Sequence, residues 1–260
     1  MSSSLPSIAE LKAVIQPEGH LDRPGDEHWA GRLYMRRLSP YLTRALVATP
    51  LSANAVTALM IPVGLLAAFS LSLPGVWAAV GAVLLVQLKL LLDCCDGEVA
   101  RWRNTTSIKG VYLDVLSHYS TEAALFAALG IRADGGWGSI GIWTALGLAI
   151  SVLVLYLKAE TLLLTVVRAR AGLPPPDKVA GEPETSRVGR VLLREGFRLL
   201  PSVRPFNAVE ASFLALAAAI VDAVLDSLDA TRVLVLGLLA AALVAVVGHA
   251  LSILRSDQLK

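Results

Sequence analysis

The chain has 260 residues, of which 55% are hydrophobic and only 17% are charged, and its formal net charge is +2. Its mean hydropathy of +0.63 is far above that of an ordinary soluble domain. The small net charge, and basic residues that are not interleaved with aromatic ones, argue against a nucleic-acid-binding protein. Apolar runs of about 20 residues separate the charged blocks, which indicates a membrane protein with several spans.

The amino-terminal part of the chain precedes the apolar runs. Residues 1–28 form a polar tail without a basic region followed by an apolar run, so we expect no cleavable signal peptide. Residues 29–50 mix aromatic and leucine side chains with arginines, a pattern typical of a helix that lies among lipid headgroups. We therefore predict an interfacial amphipathic helix over 29–50 and a membrane domain over 51–255.

Hydropathy predicts six transmembrane helices, and the predicted fold class is an all-α polytopic membrane protein. The predicted spans are about 55–73, 77–95, 111–131, 139–160, 208–226 and 232–253. Lysine and arginine concentrate at both ends of the chain and in the links 96–110 and 161–207. The positive-inside rule therefore predicts that the termini and these two links lie in the cytoplasm, in a protein of the cell (inner) membrane.

The long link 161–207 contains Pro174–Pro176 and then four arginines at spacings of three and four: Arg187, Arg190, Arg194 and Arg198. In a helix they share one face. Two interpretations stay open, a helix that binds anionic lipid and a set of residues that close over an anionic substrate.

The most informative stretch of the sequence is residues 88–120. Five residues in its first half share one helix face: Asp93, Asp96, Gly97, Ala100 and Arg101. After a predicted helix break over 104–107, three more recur every four residues: Gly110, Asp114 and His118. Two neighbouring helix ends therefore present three carboxylates and an imidazole at the same depth.

Carboxylates near the end of an apolar span are costly and mark a functional site by default. Asp93, Asp96 and Asp114 would repel one another, and a divalent cation removes this repulsion. Carboxylate ligands suit Mg²⁺ or Mn²⁺. Simpler explanations exist for parts of the pattern: Asp93 or Asp96 alone could reach the interface, and the small residues could serve helix packing rather than leave room for a nucleotide.

These residues resemble the signature of the CDP-alcohol phosphatidyltransferase family, D-x2-D-G-x2-A-R-x8-G-x3-D-x3-D. Seven of its eight marked positions match with the spacing intact, and His118 stands in place of the last aspartate. The segment before the first span is similar to the family's Pro-Asn-x-x-Thr, with Ala53 in place of the proline, followed by Asn54 and Thr57. The resemblance covers about 30–255.

The resemblance implies an enzyme of phospholipid synthesis that transfers a phosphatidyl or other phosphoalcohol group from a CDP-linked donor to a hydroxyl acceptor and releases CMP. It implies that Asp93, Asp96 and Asp114 hold one or two Mg²⁺ or Mn²⁺ ions. It also implies a set of residues that line the pocket for the cytidine and its phosphates: Asn54, Thr57, Gly97, Ala100, Arg101 and Gly110. The implied partners are the CDP-linked lipid or alcohol, an acceptor such as a phosphorylated polyol, membrane lipids, and a second copy in a homodimer.

His118 occupies the position of the family's general base and metal neighbour. A neutral imidazole can accept a proton and can bind a metal, whereas Mg²⁺ prefers oxygen. Three interpretations stay open. His118 acts with Asp114 in catalysis and as a metal ligand, or the enzyme works with an altered metal site or another base, or activity is lost.

Three other functions and several other residues bear on this assignment. Within the class, a CDP-linked polar headgroup could be the donor and a lipid or polyol the acceptor. A silent relative that binds CDP-lipid is a second hypothesis, and a transporter is a third, disfavoured because the first, fourth and sixth spans carry no carboxylate well inside except Glu160 near an end. We interpret Cys94 and Cys95 as packing residues and assign no role to three histidines: His20, His28 and His249.

Overall fold

The structure is a computed structural model that describes residues 5–16, 29–173 and 204–255. Within these ranges the regular secondary structure is entirely helical, which confirms the predicted all-α class. The chain divides into two compact units. Unit 1 comprises Met1–Ala67 and Leu84–Thr121, and unit 2 comprises Ala68–Val83 and Glu122–Lys260.

The described residues contain eight α-helices. In chain order they are α1 (Ile8–Ile15), α2 (Arg36–Val47), α3 (Ala53–Ser72), α4 (Val76–Arg103), α5 (Ile108–Ala133), α6 (Ile142–Arg170), α7 (Ala208–Leu225) and α8 (Asp229–Arg255). A π-helical turn, Gly31–Met35, leads into α2, so most of the segment predicted to be interfacial is helical.

Several of these helices can cross a membrane. In the part of the chain that the structure describes, five are long and apolar enough to do so: α3, α4, α6, α7 and α8. The predicted third span, 111–131, lies inside α5, a helix of 26 residues whose polar side chains reduce its hydropathy. The chain is thus a polytopic membrane protein, and the count of six spans stays a prediction.

The predicted break over 104–107 is present. Helix α4 ends at Arg103, Asn104 has a φ of 53°, and α5 begins at Ile108. Asparagine is one of the few residues that adopt this left-handed conformation at low cost, so it can stop a helix sharply. The break turns the chain between the two helices that carry the acidic residues.

In unit 1, α1 is a short helix inside the segment for which the sequence predicts only a polar tail. A capping box starts it: the Ser7 hydroxyl accepts from the Glu10 amide at 3.2 Å, and the Glu10 carboxylate accepts from the Ser7 amide at 2.8 Å. Leu11 and Ile15 are both fully buried, so α1 packs through one apolar edge.

Helix α2 contains a proline, and α1 compensates for it. Pro40 has no amide hydrogen, so it cannot donate to the Arg36 carbonyl four residues earlier. The Gln16 side chain, which follows α1, donates to that carbonyl at 3.0 Å. Helix α1 is therefore tied to the backbone of α2.

The end of α2 is capped by an arginine from α4. The Arg103 guanidinium donates to the carbonyls of Leu46, Val47 and Thr49 at 3.3, 3.3 and 2.7 Å, and also to the carbonyl of Leu51. The last carbonyls of a helix lack partners within the helix, and a cation there is favourable. Arg103 thereby connects the end of α4 to the turn before α3.

In unit 2, α5 and α6 approach each other through two glycines. A Cβ atom at Gly147 would lie 2.6 Å from the Phe126 carbonyl oxygen, and one at Gly130 would lie 2.5 Å from the Trp143 carbonyl oxygen. Both distances are too short for any side chain, so this crossing requires glycine. Small residues allow such close helix packing in membranes.

Two of the short links in unit 2 are each closed by one aspartate. The Asp134 carboxylate accepts from the amides of Gly141 and Thr144 at 2.7 and 2.8 Å and from the Thr144 hydroxyl at 2.6 Å. Burial raises the pKa of Asp134, but these hydrogen bonds outweigh it and lower the pKa below the usual value. Asp222 does the same at the start of α8, accepting from the amide of Ala230 and the hydroxyl of Thr231 at 2.8 and 2.5 Å.

An ion pair and a histidine–carboxylate contact link the long helices of unit 2. Lys158 Nζ lies 2.7 Å from Glu122 Oε2, and His249 Nδ1 lies 2.8 Å from Glu160 Oε2. His249, which has no assigned role in the sequence, therefore has a partner on another helix. His20, His28, Pro174–Pro176 and the four arginines at positions 187, 190, 194 and 198 lie outside the described residues.

Candidate functional site

A cavity of about 350 Å³ lies within unit 1. This is large enough for part of a nucleotide ligand, since small-molecule sites commonly hold 300–1,000 Å³. Eight of the residues singled out in the sequence line it: Asn54, Thr57, Asp93, Asp96, Gly97, Ala100, Gly110 and Asp114. The three acids therefore share one cavity.

Asp93, Asp114 and His118 form the tightest group. One potential ligand atom from each residue lies within 4.8 Å of the other two. His118 Nε2 is 3.5 Å from Asp93 Oδ1 and 3.3 Å from Asp114 Oδ1. The imidazole thus lies between a carboxylate of α4 and a carboxylate one turn earlier on its own helix, α5.

Asp96 lines the same cavity, but its carboxylate has other hydrogen-bond partners. Its Oδ2 accepts from the Thr57 hydroxyl at 2.6 Å, and its Oδ1 accepts from the Gly97 amide. Thr57 is 2% exposed and comes from α3, so this hydrogen bond fixes the carboxylate from a third helix. A residue that the resemblance assigns to the nucleotide pocket therefore orients one of the acids.

The other side of the His118 ring faces a lysine. Lys89 Nζ lies 3.4 Å from His118 Nδ1, and Lys89 is 3% exposed. The imidazole therefore lies between an ammonium group at one ring nitrogen and two carboxylates at the other. The sequence analysis missed Lys89, although its position four residues before Asp93 places both on one face of α4.

Gly110 is required by the residues around it. A Cβ atom at this position would lie 2.8 Å from Asn54 Oδ1. That oxygen accepts from the Ser107 hydroxyl at 3.0 Å, and the same hydroxyl accepts from the Gly110 amide at 3.1 Å. The three residues join the start of α5 to the start of α3 at the rim of the cavity.

Arg101 does not lie in the nucleotide pocket to which the resemblance assigns it. It is not among the residues that line the cavity, and its Nε donates to the Ile15 carbonyl at the end of α1 at 2.9 Å. A Cβ atom at Gly97 would lie 3.2 Å from Arg101 Nη1, so the absence of a side chain at position 97 lets the guanidinium fold back along α4. Arg101 thus holds α1 against the wall of the site.

The chemistry of this group fits a divalent cation. Two carboxylates and an imidazole converge on one point, and a third carboxylate lines the same space. Within the described part of the chain, Asp114 Oδ1 is buried and makes no well-aligned hydrogen bond, so this oxygen is available to a cation. Oxygen-rich sets suit Mg²⁺ and Mn²⁺, and the imidazole is better tolerated by Mn²⁺.

The fold and the site together define a polytopic helical membrane protein with an acid-lined cavity. The model of the family described as CDP-alcohol phosphatidyltransferase matches residues 50–193, more than half of the chain. The chain belongs to this family, and is therefore a member of a transferase family of phospholipid synthesis that uses CDP-alcohols and in general depends on divalent metal ions. A search of curated proteins finds no match.

Proposed function

We propose that this protein transfers a phosphatidyl or other phosphoalcohol group from a CDP-linked donor to a hydroxyl acceptor and releases CMP. The observation that carries the proposal is the single cavity that contains Asp93, Asp96 and Asp114 together with the family's Asn54 and Thr57. Membership of the family supports the reaction class. The donor is a CDP-linked lipid such as CDP-diacylglycerol, and the acceptor is a polar alcohol such as a phosphorylated polyol.

The residues of the cavity have separate tasks in this reaction. Asp93 and Asp114, with His118, hold one or two Mg²⁺ or Mn²⁺ ions, and Asp96, oriented by Thr57, contributes a further carboxylate. A divalent ion, when bound, neutralises charge on the donor pyrophosphate and on the leaving CMP. The small side chains of Gly97, Ala100 and Gly110 leave space for the cytidine and its phosphates.

The group transfer needs a base for the acceptor. The acceptor oxygen forms a bond to the phosphorus that carries the alcohol, and the bond from this phosphorus to the CMP oxygen breaks. The hydroxyl proton passes to Asp114, which lines the cavity, or to His118, whose Nε2 lies 3.3 Å from Asp114 Oδ1. General bases of this kind contribute about 10²- to 10⁴-fold to a rate.

The reaction is tested with purified full-length protein. Incubation with CDP-diacylglycerol or with soluble CDP-alcohols, each with a panel of hydroxyl acceptors, is expected to release CMP in one donor class, and EDTA is expected to abolish the release. Mn²⁺ or Mg²⁺ added in excess restores it. If no combination releases CMP while the folded protein still binds CDP, the catalytically silent relative is the correct description; release only from soluble CDP-alcohols reverses the roles of donor and acceptor.

A second test concerns His118, which stands in place of the family's last aspartate. His118→Asp is expected to reduce CMP release by about 10²-fold, because a general base is worth this much and the Lys89 contact is matched to an imidazole. His118→Gln, which has no base, is the companion variant and is expected to lose at least as much. Activity that appears only in His118→Asp would contradict a recruited histidine.

The proposal also includes the membrane in which the protein lies and the side that its site faces. We place the protein in the cell membrane with both termini and the cavity on the cytoplasmic side, since the basic residues cluster in those segments. Residues 29–50 lie at the membrane interface, 51–255 form the catalytic domain, and the segment 1–28, which contains α1, precedes them. Two copies associate as a homodimer.

A further inference from the structure

We infer that Arg36, which precedes the family-matched region, contacts a phosphate of the CDP-linked donor. This inference rests on the proposed function and deepens it. Arg36 lies at the start of α2, and both Arg36 and Gly31 from the preceding π-helical turn line the cavity. The helical segment before the first span therefore supplies part of the wall of the site.

Charge is the reason to assign Arg36 to the donor. Among the cavity-lining residues in the described part of the chain, Arg36 carries the positive charge, and three carboxylates carry negative charge. The carboxylates repel a negatively charged pyrophosphate, so the pyrophosphate oxygens need positively charged groups beside them. A guanidinium offers a planar fork of donors that matches two phosphate oxygens, which a lysine cannot do.

Contact with Glu98 positions the Arg36 side chain. Glu98 is fully buried, and its carboxylate accepts from the Gln16 amide at 2.8 Å and from the hydroxyls of Ser39 and Thr43 at 2.6 Å each. The contact from Arg36 Nη1 is 3.4 Å, the longest of the four. These three short hydrogen bonds fix the position of the carboxylate, and Arg36, which lines the cavity, supplies its countercharge through the Nη1 contact.

The backbone of Arg36 is fixed independently of its side chain. Gln16 donates to the Arg36 carbonyl, left without its helical partner by Pro40, and also to Glu98. The backbone of Arg36 is therefore anchored by Gln16, and its guanidinium is positioned by the contact with Glu98. Such preorganisation lowers the entropy lost when a phosphate binds.

The test is equilibrium binding of CDP to the purified full-length protein in detergent with Mn²⁺. Arg36→Gln is expected to raise the Kd for CDP by about tenfold to hundredfold, the range for losing a charge-assisted hydrogen bond. Arg37→Gln is the matched control, because Arg37 is the next residue and is exposed. It is expected to leave the Kd unchanged, and the melting temperature of each variant is measured in parallel.

Each result of these binding measurements either supports or overturns the Arg36 contact, or tests the proposed function itself. An increased Kd in Arg36→Gln at an unchanged melting temperature supports the contact, and an unchanged Kd overturns it. If Arg36→Gln unfolds, Arg36→Lys decides: weaker CDP binding at the wild-type melting temperature supports the contact, whereas wild-type binding, or unfolding of this variant too, overturns it. If the wild-type protein does not bind CDP, the proposed function itself fails.

Discussion

Asp114→Asn is expected to lower the rate of CMP release by about 10³-fold or more, because a lost metal ligand removes several kcal/mol of transition-state stabilisation. Asp114 belongs to the tightest group of potential ligands, and its Oδ1 lies 3.3 Å from His118. The substitution keeps the size of the side chain and removes one negative charge. We expect Asp96→Asn to have a similar effect, since Asp96 lines the same cavity.

The measurement has two parts, CMP release and Mn²⁺ binding followed by electron paramagnetic resonance. Asp114→Asn is expected to weaken Mn²⁺ binding as well as turnover. The control is Asp229→Asn, because the Asp229 side chain is 74% exposed at the start of α8, outside unit 1. Full turnover in Asp114→Asn or in Asp96→Asn would disprove the metal-carboxylate assignment.

Glu98→Ala is expected to cost about 3 kcal/mol or more of the free energy of unfolding, since about 1–3 kcal/mol is lost for each buried donor left without a partner. The Gln16 amide and the hydroxyls of Ser39 and Thr43 all donate to this carboxylate. The loss should be largest for the amino-terminal helices, which these three donors connect to α4.

Thermal unfolding in detergent measures the loss, and amide hydrogen exchange locates it. Protection is expected to fall in α1 and α2 in Glu98→Ala. Glu98→Gln keeps an acceptor oxygen and should lose less, while Asp229→Ala, at an exposed side chain, should change little. Equal melting temperatures for Glu98→Ala and the wild type would show that the carboxylate does not hold α1 and α2 in place.

The helices were largely predictable, but hydropathy alone did not predict where they end. Hydropathy locates a span where α4 occurs, yet the predicted 77–95 is shorter than the observed Val76–Arg103. The helix continues past its apolar part, because backbone hydrogen bonds do not require apolar side chains. The break after Arg103 was predictable because Asn104 and the polar residues after it interrupt the helical pattern.

The predicted acids meet in the structure because helical spacing already places them on common faces. Asp93 and Asp96 are three residues apart, and Asp114 and His118 are four apart. What their side chains contact was not predictable. The Thr57 hydroxyl that orients Asp96 lies 39 residues earlier in the chain, and no local pattern connects the two.

The hydrogen bonds around Glu98 were even less predictable from the sequence. The Glu98 partner Gln16 is 82 residues away and lies in a segment for which the sequence predicts only a tail. The His249–Glu160 pair joins residues 89 apart. Pairings of this kind depend on how helices are arranged in space, and a single sequence carries no direct signal for them.

The aspartates that close the α5–α6 and α7–α8 links of unit 2 bear on how the protein is made. Asp134 accepts from residues no more than 10 positions further along, and Asp222 from residues no more than 9 positions further along. Each turn can therefore complete its hydrogen bonds as soon as the next helix emerges from the ribosome. The α5–α6 and α7–α8 pairs are thus suited to form as helical hairpins during translation.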